Sequence, residues 1–284
     1  MSEQLLRRPR GASPATPKLL LVAATLLLMR MAPSGDLVTG SLVVVNSADD
    51  YIAIAADSKG LSQKGPSYDR CKIVALDNRL VYAATGYTSR ADALQIGGTW
   101  HASALAKQAY LSLAKNPRHE LIPKLAEALG ASLASRLNQS VEAHPHEGWP
   151  RILVTALLAG FDENGKRIII QVDAMRTDER HVGYTARLVP DDVHAVLSGE
   201  TAIAEEYTAG KTPRSQSWQK SVVFENAGLG VKQQLIHGAE RIVALTAQYD
   251  PTLVGGPIDT VVISRKAGVT WIHRKPECAK GFRP

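Results

Sequence analysis

Three residues that could take part in nucleophilic chemistry lie at the ends of predicted strands early in the chain. Ser41 precedes an apolar run, and Asp57 ends a second apolar run that follows the turn SADD (47–50). A hairpin brings these two points to the same end of a sheet, and Lys72 begins the next strand pair, so it can lie near that end. A serine hydroxyl needs a base beside it to act as a nucleophile, and a carboxylate can hold a lysine in place. The spacing therefore permits a Ser–Lys–Asp cluster, although Lys and Asp at strand ends are more often surface residues.

The elements that position these residues follow from hydrophobic periodicity. Strand pairs are predicted at 42–57, 71–86, 151–175, 184–199 and 260–274. Helices are predicted at 89–115, 119–143, 201–210 and 222–249, the first capped by Ser89 and Asp92. Runs of strands and runs of helices, rather than strict alternation, favour antiparallel sheets with helices packed outside, an α+β domain.

Two segments carry a family resemblance. AIAADSK (53–59) and DRCKIVALDNRLVYAATGY (69–87) resemble the β-subunits of the proteasome and the related bacterial peptidases, which are N-terminal nucleophile hydrolases. The resemblance implies a four-layer αββα sandwich of two antiparallel sheets flanked by helices. It also implies an autocatalytic cut between Gly40 and Ser41 that makes Ser41 the N-terminal nucleophile.

The resemblance assigns a role to each matching residue. Asp57 and Lys72 match the family's catalytic aspartate and lysine, and Gly86 matches the glycine whose N–H helps form the oxyanion hole. Ala84 matches a position that shapes the pocket for the residue before the cut, where a small side chain leaves room for a large apolar group.

Two further segments extend the resemblance to the C-terminal half. LSGE (197–200) resembles a loop beside the family's nucleophile, with Ser198 matching and Glu200 departing. YDPTLVGGPIDTVVI (249–263) resembles the loop with a second aspartate, so Asp250 matches that aspartate with a displacement of one residue. Val254 stands where the family has a serine.

The resemblance predicts a self-processing peptidase or amidase that hydrolyses peptide bonds and needs no cofactor and no metal. The α-amine of Ser41 would act as the base, and the Lys72 cation would lower the pKa of that amine. Thr39 is the rival nucleophile because the family prefers threonine, but it follows Val38 rather than glycine. The alternative function is a non-catalytic, proteasome-like structural or assembly subunit, which Glu200 and Val254 favour.

The N-terminus resembles an export signal, with basic residues before the apolar run LLLVAATLLLM (19–29). A leader is therefore predicted over 1–34, the rest of a propeptide over 35–40, the hydrolase domain over 41–275 and a basic tail over 276–284. The leader lacks a clean cleavage motif, so a mis-assigned start or a disordered leader is the alternative. The protein is expected to be periplasmic or extracellular with a signal peptide, and cytoplasmic otherwise.

Composition limits the partners. The 284 residues carry a net charge of +6, much of it at the two ends, and only 5% of residues are aromatic, which argues against a nucleic-acid surface. The expected partners are a peptide or unfolded protein substrate and a second copy of the chain, with no stable membrane span after processing. Cys71 and Cys278 are too few for a disulfide framework, and the sequence leaves open whether they pair.

Overall fold

The structure, a computed structural model, describes residues 41–62, 65–67, 71–90, 100–143 and 151–279. The predicted leader and propeptide, including Thr39 and Gly40, lie outside the described residues, as do 280–284 of the basic tail. The strands are β1 (Leu42–Ala48), β2 (Tyr51–Ala56), β3 (Gly60–Ser62), β4 (Gly65–Ser67), β5 (Ile73–Ala75), β6 (Leu80–Gly86), β7 (Ser89–Arg90), β8 (Trp100–His101), β9 (Ile152–Phe161), β10 (Arg167–Arg176), β11 (Val182–Leu188), β12 (Ala195–Gly199), β13 (Asp259–Ser264) and β14 (Gly268–His273). The helices are α1 (Ala102–Leu113), α2 (Arg118–Ala143), α3 (Ala202–Ala209), α4 (Pro213–Glu225), α5 (Val231–Tyr249) and α6 (Pro276–Ala279).

The described strands form two five-stranded antiparallel sheets and two short ribbons. The first sheet has the order β12-β1-β2-β13-β14, and the second has the order β11-β10-β9-β6-β5. The ribbons pair β3 with β4 and β7 with β8. The hairpins predicted around 47–50 and around Asp77-Asn78 are confirmed as β1–β2 and β5–β6.

The two sheets stack face to face, and helices cover both outer faces. Val43 and Val45 of β1 point into a core shared with Val81 and Ala83 of β6. The alternate residues of β1 pack beneath α5, while α1 and α2 cover the other face of β6 and β9. Because the first four residues of β1 are buried on both faces of the strand, they form a continuous apolar run rather than an alternating one. The predicted α+β sandwich of two antiparallel sheets flanked by helices is confirmed.

Two predicted helices have different bounds in the structure. Within the range 89–115 that was predicted to be helical, the described helix is α1. Ser89 and Arg90 are extended and pair with His101 and Trp100, so the prediction of an N-terminal cap at Ser89 is wrong, and Asp92 lies outside the described residues. The helix predicted over 222–249 is two helices, α4 and α5. Gly228 breaks the helical path with a positive φ of 82°, and the extended Gly230 is the N-cap of α5.

A disulfide joins Cys71 to Cys278, which settles the pairing that the sequence left open. The two Cα atoms are 5.6 Å apart, although 207 positions separate the residues in the chain. The bond attaches α6, at the C-terminal end of the described chain, to the residue before Lys72. Among the helices that the structure describes, none combines the length and apolar character needed to cross a membrane.

Candidate active site

The structure brings Asp57 and Lys72 together at the end of the β1–β2 hairpin. Lys72 Nζ lies 2.5 Å from Asp57 Oδ1, and Asp57 is fully buried. The same carboxylate accepts a backbone hydrogen bond from Leu42 at 2.8 Å and from Lys59 and Gly255 at 3.1 Å each. A buried carboxylate is stable only when its charge is paired and hydrogen-bonded, and both conditions are met here.

Ser41 lies beside this ion pair because the next residue, Leu42, donates to Asp57. Ser41 is 5% exposed, and its carbonyl oxygen accepts a 2.7 Å hydrogen bond from the Glu200 N–H. Gly199 has a φ of +97°, and a Cβ there would lie 1.9 Å from the Ser41 oxygen. Only glycine allows the LSGE loop to approach Ser41 this closely.

Ser198 reaches the site through strand pairing and a contact between the sheets. It lies opposite Val43 in the β1–β12 register. Its hydroxyl is 2.6 Å from the Thr85 hydroxyl of β6, and both side chains are buried. Sequence reasoning missed Thr85, whose only signal was a hydroxyl in the apolar strand LVYAATG directly before Gly86.

Replacing Thr85 with Val is expected to leave the Ser198 hydroxyl buried without this partner. An unsatisfied buried hydroxyl costs about 1–3 kcal/mol, so the free energy of unfolding, measured by urea denaturation, should fall by roughly that amount. Thr85→Ser keeps the hydroxyl and is the matched control. A loss of stability confined to Thr85→Ser would show that the Thr85 methyl group, rather than the hydrogen bond, matters.

Gly86 and Ala84 occupy neighbouring positions on the same strand. Gly86 has a φ of +87°, and a Cβ there would lie 2.2 Å from the Leu153 carbonyl oxygen, so the position requires glycine. Ala84 is buried against the layer of α1 and α2. Its N–H donates to the Lys72 carbonyl at 3.2 Å, so this strand also fixes the backbone of Lys72.

Asp250 lies at the C-terminal end of α5, where the following loop turns back to the site. Its Oδ1 accepts a 2.6 Å hydrogen bond from the Thr252 hydroxyl. Its carbonyl accepts from the N–H of Val254, which is fully buried in the apolar cluster beneath α5. The next residue, Gly255, donates to Asp57, so the loop connects Asp250 to the ion pair through the backbone.

Lys59 holds the same loop against the second strand and was not singled out from the sequence. Its Nζ donates to the Pro251 carbonyl at 2.5 Å, and the Ser58 hydroxyl donates to the Pro257 carbonyl at 2.7 Å. Both side chains are buried. The sequence signal was the polar pair that follows Asp57 in the resemblance segment AIAADSK.

Glu200 brings a second carboxyl group to the neighbourhood of Ser41. Burial raises the pKa of Glu200 above its ordinary value, and the negative charges of Asp250 and Glu205 raise the pKa further. The Ala202 N–H, which donates to Glu200 Oε1, acts in the opposite direction.

The folded protein therefore keeps the Glu200 proton to a higher pH than the unfolded chain does. Stability contributed by this group is present at low pH and is lost as pH rises from the ordinary glutamate pKa through the raised one. Glu200→Gln should remove this decrease, which thermal unfolding across the weakly acidic range can measure. The exposed Glu179→Gln serves as the control, and an unchanged pH dependence in Glu200→Gln would contradict the assignment.

Most of the residues singled out from the sequence thus lie on three adjoining strand ends and two loops. Asp57 and Lys72 contact each other directly, and Ser41 is connected to them through the Leu42 N–H. Ser198 and Gly86 are connected through Thr85, and Asp250 is connected through Gly255. Among the described residues, no cluster of three or more His, Cys, Asp or Glu side chains could hold a metal ion. No protein-family model matches this sequence, and no curated protein is significantly similar to it.

Proposed function

We propose that this protein is a self-processing peptidase or amidase, similar to proteasome β-subunits, in which Ser41 becomes the N-terminal nucleophile. The observation that carries the proposal is the buried Lys72–Asp57 pair, because its carboxylate also accepts the N–H of the residue after Ser41. A structural ion pair has no need of a neighbouring serine, whereas an N-terminal nucleophile needs a fixed cation close to its amine.

In the proposed reaction, the freed α-amine of Ser41 takes the proton of its own hydroxyl as the oxygen attacks a peptide carbonyl. Lys72, held by Asp57, lowers the pKa of the amine and keeps it unprotonated at neutral pH. The Gly86 N–H donates to the oxyanion, a contact of a kind worth about 3–4 kcal/mol. The amine then passes the proton to the leaving nitrogen, and water hydrolyses the resulting ester.

The alternative is a non-catalytic relative that keeps the fold for assembly. The specific observation in its favour is Val254, which places a buried methyl-bearing side chain where the family has a serine hydroxyl. We favour catalysis because the buried ion pair, the Gly86 conformation and the Ser198 contact all converge on the end of β1 that carries Ser41.

The disulfide supports export as the proposed localisation. Disulfides persist in oxidising compartments and are rare in the cytosol. The Cys71–Cys278 bond therefore fits the periplasmic or extracellular setting that the leader suggests.

N-terminal sequencing and intact mass of the purified protein test the proposal directly. We expect a mature chain that begins at Ser41 and that gains one acyl adduct on Ser41 when treated with a β-lactone. A folded protein that retains residues 36–40 would contradict the proposal, because Ser41 would then have no free amine.

A further inference from the structure

The last described segment of the chain, Arg274–Ala279, is bonded to residues next to the candidate active site. Lys275 Nζ lies 3.1 Å from Asp259 Oδ2, and the Lys275 N–H donates to Asp259 Oδ1 at 2.9 Å. Both side chains of this ion pair are buried. Three residues later, Cys278 forms the disulfide to Cys71.

One attachment ends on the strand beside Asp57, and the other ends on the residue before Lys72. Asp259 of β13 lies opposite Ala56 in the sheet, and Ala56 precedes Asp57. Cys71 precedes Lys72. A single C-terminal segment is therefore bonded to the residue before Lys72 and to the strand that pairs with the end of β2.

The strand that begins directly after Lys72 lies at the edge of its sheet. This strand, β5, has three residues, and among the described strands its partner is β6. On that side, Ala84 donates to the Lys72 carbonyl. The disulfide adds a covalent constraint on the backbone just before Lys72, and this constraint comes from α6.

We propose that the segment Arg274–Ala279 is a positioning clamp for the active site, in which the Cys71–Cys278 disulfide holds Lys72 against Asp57 and makes catalysis depend on that bond. This inference rests on the proposed function of Ser41. Cys71, Cys278 and Lys275 are positioning residues, since they act through Lys72 and Asp57. The clamp makes the enzyme active where disulfides form and weakens it where thiols are kept reduced.

The redox step is a two-electron exchange with a dithiol. The Cys71–Cys278 sulfur–sulfur bond breaks, each sulfur becomes a thiol, and the dithiol supplies two electrons and two protons while closing into a cyclic disulfide. Reoxidation reverses the exchange. No change in the fold of the two sheets is required.

The test compares oxidised, reduced and reoxidised wild-type protein below its unfolding temperature. A displacement of about 1 Å in a catalytic group can cost roughly a hundred-fold in rate, so we expect reduction to lower kcat by roughly ten- to a hundred-fold. KM should change little, and reoxidation should restore the rate. Cys71→Ser combined with Cys278→Ser should show the lower rate with and without dithiol.

Two readouts separate a positioning role from simple stabilisation. When Lys72 is held less firmly, the pKa of the Ser41 amine should rise, so the pH–rate profile of the reduced enzyme should move to higher pH. Lys72 is 8% exposed, and its labelling by an amine-acylating reagent, followed by mass spectrometry, should increase on reduction. If the disulfide only stabilises the fold, reduction would lower the unfolding temperature and leave both readouts unchanged, which would overturn the proposal.

The same experiment distinguishes failure of the clamp from failure of the proposed function. If the wild-type protein cleaves peptides equally well with and without dithiol, the clamp is refuted and the peptidase stands. If the wild-type protein never frees Ser41, the proposed function fails, while Lys72 labelling still decides whether the disulfide controls the position of Lys72.

Discussion

Replacing Ser41 with Ala is expected to give a folded protein that still carries residues 36–40 and hydrolyses no peptide. The variant loses the hydroxyl that would cut the chain and attack the substrate, and loss of a serine nucleophile can lower kcat by roughly a million-fold. The fold should persist because the Ser41 main chain keeps its bond from Glu200. Intact mass, peptide turnover and thermal unfolding together check the three parts of this expectation.

Thr39→Ala is the matched control for the Ser41 variant. It removes the rival hydroxyl two residues away, and we expect processing and turnover to remain at the wild-type level. The reverse pattern, in which Thr39→Ala blocks cleavage and Ser41→Ala does not, would make Thr39 the nucleophile. Processing that survives both substitutions would point to a separate protease and would remove the basis for self-cleavage.

The second large effect is expected at Asp57. Replacing Asp57 with Asn leaves the Lys72 cation buried without its counter-charge, and breaking a buried ion pair in this way costs about 3–5 kcal/mol of folding stability. The variant should also fail to process, because Lys72 is no longer fixed near Ser41. Urea denaturation measures the first effect, and intact mass measures the second.

A double variant separates the structural role of the pair from its chemical role. Replacing Asp57 with Asn and Lys72 with Met removes both charges together, while Asn keeps an oxygen acceptor for the backbone N–H groups that donate to Asp57. The double variant no longer buries an unpaired cation, so we expect it to be more stable than Asp57→Asn alone and still unprocessed. Recovery of processing in the double variant would show that the ion pair serves the fold alone.

Much of the fold could be predicted from the sequence, because strands and turns are local features. The hairpins around 47–50 and 77–78 have β-branched strands and polar turns, and both appear as predicted. The failures have causes that local propensity does not capture. The strand pair predicted over 184–199 is wrong, because β11 pairs with β10 and β12 pairs with β1 in the other sheet. The residues at 89–90 are extended because they pair with 100–101, and the helix over 222–249 is divided by the glycines at 228 and 230.

The candidate site could be predicted only in part, for a similar reason. Asp57 ends one predicted hairpin, and Lys72 lies at the start of the next. Chain order alone therefore suggests that they can meet. Thr85 reaches Ser198 only because the two sheets stack in one particular register. Cys278 reaches Cys71 across nearly the whole domain, and no sequence pattern specifies that approach.

The hydrogen bonds around Leu42 have a consequence for the chain end that cleavage would create. New chain ends normally fray, because nothing precedes them to hold them in place. Here Leu42 both donates to the Asp57 carboxylate and accepts from the Asp57 N–H at 3.3 Å, while Glu200 holds the carbonyl of Ser41. In a terminus made at Ser41, the main chain of the first two residues would therefore already be hydrogen-bonded. Its amine would be held in one position from the moment the peptide bond is cut.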